Sequence, residues 1–209
     1  MNSPSEVRRP SEARDRLLRT ASAIFYAKGI NSVGVEEVIS QARVTRATFY
    51  RHFPGKEDLV VEYLRATDQR IRREVHAITE HQQPAAETIR EIAGWIVDQI
   101  KMPEFRGCAF INAAAEYPDA DSRVQQVVQE HRAWFQSVVQ GELERLRGEP
   151  SEEGAQFFVM IRDGAMAAGR LGDLEPVCGA FMRGVEAMLA YRPVAEPDSK
   201  ALIPRSTGE

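Results

Sequence analysis

The sequence predicts an all-α chain of about nine helices. Three observations lead there. Apolar residues recur at helical spacing along most of the 209 residues. Nowhere do β-branched residues alternate over the length a strand needs. Gly and Pro cut the apolar pattern into helix-length pieces. Hydrophobic content of 43% and charged content of 28% are those of a chain that folds around a core.

The elements follow in order. Residues 1–10 are polar and Pro-containing and read as a flexible basic arm. The first helix starts at Ser11, a residue suited to an N-cap, with Glu12 and Asp15 in its first turn. Leu17, Leu18, Ala21, Ile24 and Phe25 form its apolar face, and Gly29 stops it. A short second helix fits Val35 to Ala42, with Val38 and Ile39 inward. Thr45 can cap a third, running to about Phe53, where Pro54 and Gly55 break the pattern. A long fourth helix follows from Lys56 to about Thr79. Further helices are predicted at about 85–101, 107–117, 120–147, 151–170 and 174–190. From Pro193 the chain is Pro-rich, polar and aperiodic, so 193–209 reads as a disordered tail.

Charge is unevenly spread. The net charge is −4, yet residues 1–56 hold ten Lys and Arg against five Asp and Glu. The other 153 residues hold seventeen against twenty-six. A basic head on an acidic body points to one end that meets a polyanion. The two cysteines, Cys108 and Cys178, show no paired spacing, and the four histidines form no HxxxH pair. Neither a disulfide framework nor a zinc site is expected, and no cofactor is implied. No apolar run approaches a membrane span, and the N-terminus lacks the apolar core of a signal peptide, so no membrane partner and a cytoplasmic location are expected.

The stretch VTRATFYRHFPGKEDL, Val44 to Leu59, concentrates the chemistry. Two short helices joined by a tight turn, the second one basic, make a helix-turn-helix. Val44, Phe49 and Phe53 fix the second helix against its neighbours. Thr45, Arg46, Ala47, Thr48, Tyr50 and Arg51 then face away from the core, toward a major groove. Arg46 lies at the N-terminal end, and arginine pairs in bidentate fashion with guanine O6 and N7. Thr48 and Tyr50 carry hydroxyls suited to phosphate oxygens, and Lys56 opens the next helix, where the backbone N–H groups also favour an anion. For Arg51 and His52 a solvated helix face is an equal alternative. Pro54–Gly55–Lys56 is not a phosphate-binding P-loop, because Tyr50 stands in place of the upstream Gly and Glu57 in place of Ser or Thr.

These residues carry a resemblance. Phe25, Gly29, Ala42, Val44, Thr45, Thr48, Phe49, Tyr50, Phe53, Lys56 and Leu59 fill a pattern that resembles the DNA-binding domain of the tetracycline-repressor (TetR) family of transcriptional regulators. Arg106 to Asp121, RGCAFINAAAEYPDAD, is similar to a stretch in the regulatory domain of some members. The resemblance implies a helix-turn-helix domain over 11–55 and a helical effector-binding and dimerisation domain over 56–192, with 56–79 as the linking helix. It also implies phosphate contacts from Thr45, Thr48, Tyr50 and Lys56, base edges facing Arg46 and Ala47, and a further backbone contact from His52. Arg43 departs from the pattern, since that turn position usually holds Gly. The turn is then not left-handed, or strained, or Arg43 adds a phosphate contact. Gly34 stands where Thr or Ser often caps the second helix.

For the body the resemblance implies a homodimer built by the last two long helices. Phe157, Phe158, Ile161, Ala165 and Ala168, with Phe181, Val185 and Met188, are the candidate interface, unless these stripes pack only within one subunit. The candidate walls of an effector pocket are Trp95, Phe110, Asn112, Glu116, Trp134, Met160 and Asp163. Asn112, Glu116 and Asp163 are polar in apolar surroundings and need partners if buried, from a ligand or from a neighbouring helix. A mostly apolar or cationic small molecule is the expected effector. Cys108 follows Arg106 at a helix start and reads as an inert buried thiol, with an electrophile- or oxidant-sensing thiol as the alternative.

The expected function is a homodimeric, DNA-binding repressor of a palindromic operator, released by a small molecule. A ligand-independent regulator or an activator is the alternative. A small all-α enzyme using Glu116, Asp163 and His131 is the remote one, because no GxSxG, P-loop, HExxH or metal cluster is present.

Overall fold

The computed structural model describes residues 11–191; the arm expected over 1–10 and the tail expected over 193–209 lie outside them. The described residues form nine α-helices and no strand. They are α1 (Glu12–Lys28), α2 (Val35–Ala42), α3 (Arg46–His52), α4 (Lys56–Thr79), α5 (Ala85–Lys101), α6 (Ala109–Glu116), α7 (Arg123–Arg147), α8 (Glu152–Leu171) and α9 (Leu174–Ala190).

Local chemistry sets the ends. Phe53 and Tyr117 both precede a proline, which disfavours helical backbone, so α3 ends at His52 and α6 at Glu116, each slightly short of its expected end. α6 also begins later than expected, because Gly107 turns the chain at φ 89° before it. α7 begins at Arg123, where the Ser122 side chain accepts the Gln125 N–H at 3.2 Å. Ser11 precedes α1 as expected but makes no side-chain cap; its hydroxyl lies 3.1 Å from His52 Nε2.

α1, α2 and α3 pack on one another, and α1 also packs on α4. Leu17, Val38, Phe49, Phe53 and Leu59 are buried where they meet. α4 then runs from this head into the body, where it packs on α7. α5 packs on α7, α8 and α9, and α8 lies against α7 and α9. A ladder of rings ties these together. Phe135 meets Phe158 at 6.2 Å between centroids, and Phe158 meets Phe181 at 5.9 Å. Each such side chain, once fully buried, contributes about 1.5–3 kcal/mol of transfer free energy. α8 approaches α5 so closely that a Cβ on Gly169 would come within 2.7 Å of Ile100 Cγ2.

This packing redistributes the expected subunit interface. Phe158, Ala165, Phe181, Val185 and Met188 are buried within the single chain, so their side chains belong to the protomer's own core. Phe157, Ile161 and Ala168 keep outward surface.

Candidate nucleic-acid interface and internal cavity

The turn between α2 and α3 is left-handed. Arg43 sits at φ 53° and ψ 50°, a conformation that costs a residue with a Cβ roughly 1–2 kcal/mol. Its N–H donates to Ser40 O, and the Val44 N–H donates to Ile39 O, both at 3.2 Å, closing α2. Of the readings left open for this turn, the strained one holds. Thr45 then caps α3, accepting the Thr48 N–H at 3.1 Å, and the two hydroxyls lie 2.9 Å apart.

With Phe49 and Phe53 fully inside, helical geometry turns the rest of α3 outward. Arg43, Thr45, Arg46, Ala47, Tyr50 and Arg51 are exposed, and Thr48 is half-buried. Tyr50 stands edge-on to Phe49, with the centroids 5.1 Å apart. Arg46 pairs with Glu36 at 2.9 Å, and both side chains are about two-thirds exposed. Such surface pairs contribute little, so Arg46 can exchange partners at small cost. His52 departs from this row, since it is half-buried with its ring toward Ser11. Lys56 is half-buried at the uncapped N-terminus of α4; burial lowers its pKa, and the nearby Glu116 carboxylate opposes that shift.

A cavity of about 460 Å³ lies where the head meets the body. α1 contributes Tyr26, α4 contributes Tyr63, Thr67 and Ile71, and α5 contributes Trp95. Cys108 and Phe110 close another side, and Arg162 and Met166 come from α8. The Tyr26 hydroxyl accepts the Arg106 N–H and donates to Gly107 O, each at 3.0 Å, tying α1 to the turn before α6. Burial raises the Tyr63 pKa and keeps its phenol neutral.

Of the residues expected to wall a pocket, Trp95 and Phe110 line this cavity. The others are elsewhere. Glu116 accepts the backbone N–H groups of Ile30 and Asn31, beyond the end of α1. Asn112 donates to Arg106 O at 3.0 Å. Trp134 lies under the Arg72 guanidinium, 4.3 Å from ring centroid to Cζ, and Met160 is 59% exposed. Asp163 pairs with Arg162 at 3.0 Å and with Arg132. The polar residues thus found their partners in neighbouring protein groups. Arg162, which the sequence reading did not single out, is only 4% exposed and lines the cavity. Its one signal was a lone cation inside FFVMIRDGAM.

Cys108 and Cys178 are free thiols, both buried. Among the described residues no group of three or more His, Cys, Asp or Glu is placed to hold a metal ion, and no helix is long and apolar enough to cross a membrane.

A sequence profile of the bacterial regulatory proteins, tetR family, matches residues 17–63. A TetR-family transcriptional regulator from Streptomyces coelicolor, known from a crystal structure, is 48% identical, covers 85% of this chain and 94% of its own, and has a TM-score of 0.82. An HTH-type transcriptional regulator of Mycobacterium tuberculosis is 35% identical over 69 residues, 33% of this chain and 34% of the relative. The HTH-type transcriptional repressor KstR2 of Mycolicibacterium smegmatis is 32% identical over 62 residues, 30% of each chain. The match thus spans about a third of the length of these curated relatives. All of these relatives are transcriptional regulators rather than enzymes. Identity of 48% over nearly the whole of a solved TetR-family protein decides the assignment: the chain belongs to the TetR family of DNA-binding transcriptional regulators.

Proposed function

We propose that the protein is a homodimeric repressor, acting in the cytoplasm on a palindromic or near-palindromic operator and released from it by a small molecule. Residues 11–55 are the reading head, 56–192 the effector-binding and dimerising body, and 56–79 the helix joining them. The observation that carries this reading is the cavity wall itself: Tyr26 comes from α1 of the head, and Tyr63, Thr67 and Ile71 come from α4. A ligand there would touch the elements that set the pose of α3. A second connection runs through α6, whose first turn reaches the cavity while Glu116 at its other end holds the backbone at Ile30 and Asn31. A ligand favouring the arrangement of α4 and α6 that binds operator poorly lowers operator affinity by the same factor that DNA lowers its own.

On the outer side, Arg43, Thr45, Arg46, Ala47, Thr48, Tyr50 and Lys56 supply the phosphate and base contacts, Arg46 reading guanine. Dimerisation is assigned to the exposed face of α8, where Phe157, Met160, Gly164, Ala168 and Leu171 follow one another at helical spacing. Phe157 is 38% exposed and Leu171 86%, a row of apolar surface that a lone protomer leaves in water.

The test is selection of bound duplexes from a random pool at near-physiological salt, followed by operator affinity with and without effector. An enriched two-fold motif and a 5–150-fold loss of affinity on ligand binding are expected. No enriched motif would refute operator recognition. Tight ligand binding with unchanged operator affinity would leave a ligand-independent regulator or an activator.

A further inference from the structure

Granted that the cavity is the effector site, we propose that its ligand is an organic anion: a single carboxylate, held by Arg162, on an apolar body. Arg162 is 4% exposed, and a guanidinium so deep needs acceptors for its five N–H donors. It does not have them. Nε is buried with no hydrogen-bond partner, and Nη2 has only the Cys108 sulfur, at 3.8 Å. Nη1 reaches Asp163 at 3.0 Å, but Arg132 pairs with the same carboxylate. Two guanidiniums therefore share one carboxylate, and Arg162, the one of the two that lines the cavity, keeps Nε and Nη2 without an oxygen acceptor. The Phe135 ring, 4.8 Å from Cζ, gives the guanidinium a π-face but no acceptor.

The rest of the wall defines the rest of the ligand. Trp95, Phe105, Phe110, Ile71 and Met166 are apolar, and a volume of about 460 Å³ lies in the range of small-molecule sites. Arg70 and Glu104 also border the cavity, but both are exposed and of opposite sign, so they leave the balance set by Arg162. A phosphate dianion would need more than this one buried cation to offset its desolvation. A cationic effector, one of the two classes the sequence suggests, would meet Arg162 as a like charge.

The experiment uses the full chain with decanoate, decanol and decylamine, three probes of one length and three charges. Trp95 lines the cavity and Trp134 does not, so a Trp134→Phe background makes Trp95 the only tryptophan and the reporter. Decanoate should bind at least about tenfold more tightly than decanol or decylamine. Arg162→Gln should remove that preference while leaving decanol affinity unchanged, and Arg162→Lys should keep part of it. Absence of decanoate binding at millimolar concentration overturns the proposal. So does decylamine binding as tightly as decanoate, or decanoate affinity that is unaltered in Arg162→Gln. Operator release by decylamine or decanol at concentrations where decanoate releases none would overturn the anion alone and keep the release mechanism. Decanoate binding through Arg162 with operator affinity unchanged would support the anion and refute release.

Discussion

The carboxylate of Glu116 accepts the backbone N–H of Ile30 at 2.9 Å and that of Asn31 beside it. The last residue of α6 is thereby bonded to the loop leading into α2, eighty-six positions earlier in the chain. Hydrogen bonds to a charged acceptor contribute about 1.5–3 kcal/mol each, so these two tie α6 to the head. Glu116→Ala should lower unfolding stability by about 1–3 kcal/mol and leave operator affinity in the absence of effector within a fewfold. The ligand-induced loss of affinity should shrink. Denaturant titration and operator binding with and without effector read the two effects separately; undiminished release in Glu116→Ala would confine the coupling to α4.

Arg43 stores strain at the reading edge. Replacing it with Gly removes a left-handed penalty of roughly 1–2 kcal/mol, and the more flexible unfolded chain takes back about 0.5–1 kcal/mol. Arg43→Gly should therefore be more stable by up to about 1.5 kcal/mol, yet bind DNA more weakly, with a salt slope shallower by about one. A melting curve and a salt series check both. Unchanged DNA affinity would mean that Arg43 touches no phosphate.

How much of this was legible depended on the local chemistry. Thr45 at the start of α3 and the Pro54–Gly55 break carry their own structural instructions, and the helix boundaries there were readable to within a residue. The phase of α8 was not. Phe157, Phe158, Met160 and Ile161 are apolar on adjacent positions, so periodicity cannot say which faces the core. Packing decides: Phe158 joins Phe135 and Phe181, and Phe157 turns outward. The same ambiguity hid the cavity wall. Arg162 and Asp163 are neighbours in sequence, and only the fold shows the arginine at the cavity while the carboxylate is shared by two guanidiniums.

Glu36 holds Arg46 in the absence of DNA, at 2.9 Å on an exposed surface. Glu36→Gln should raise affinity for operator and for random DNA alike, by a fewfold, because it frees Arg46 and removes a negative charge facing phosphates. Arg46→Ala should instead cost roughly 1–3 kcal/mol per half-site and relax preference at one base position. Affinities on specific and scrambled duplexes separate the two. Equal losses on both duplexes for Arg46→Ala would reassign that residue to the phosphates.

His131 makes stability depend on pH. Its ring stacks on Phe110 at 3.7 Å, and burial lowers its pKa to about 4 from an ordinary 6.5. Asp68, 2.7 Å from Nδ1, opposes that shift, but Arg72 shares its charge, and the Arg162 cation lies near the ring. The folded state thus favours the neutral ring. Its contribution is complete above pH 6.5 and is lost as pH falls toward 4, because the unfolded chain takes up the proton first. The loss should reach about 3 kcal/mol at 1.36 kcal/mol per unit. His131→Phe, which keeps the stack, should flatten that part of the stability profile. A variant profile as steep as the parent's over this range would assign the dependence to other groups.

The dimer prediction turns on Gly164. A Cβ placed there would meet nothing within 4 Å in the protomer, so nothing in the single chain requires a glycine at mid-helix. Glycine in a helix interior costs about 0.5–1 kcal/mol relative to alanine. On the proposed face, it allows a partner helix to approach closely between Phe157 and Leu171. Gly164→Ala should then stabilise the isolated protomer fold by about that amount, whereas Gly164→Trp should leave a folded monomer with weak operator binding. Ala165→Glu is the contrasting variant, because Ala165 is buried inside the protomer and a carboxylate there should unfold the chain rather than split a dimer. Light scattering with circular dichroism distinguishes these outcomes. A Gly164→Trp protein that remains dimeric and operator-competent would move the interface off this face of α8.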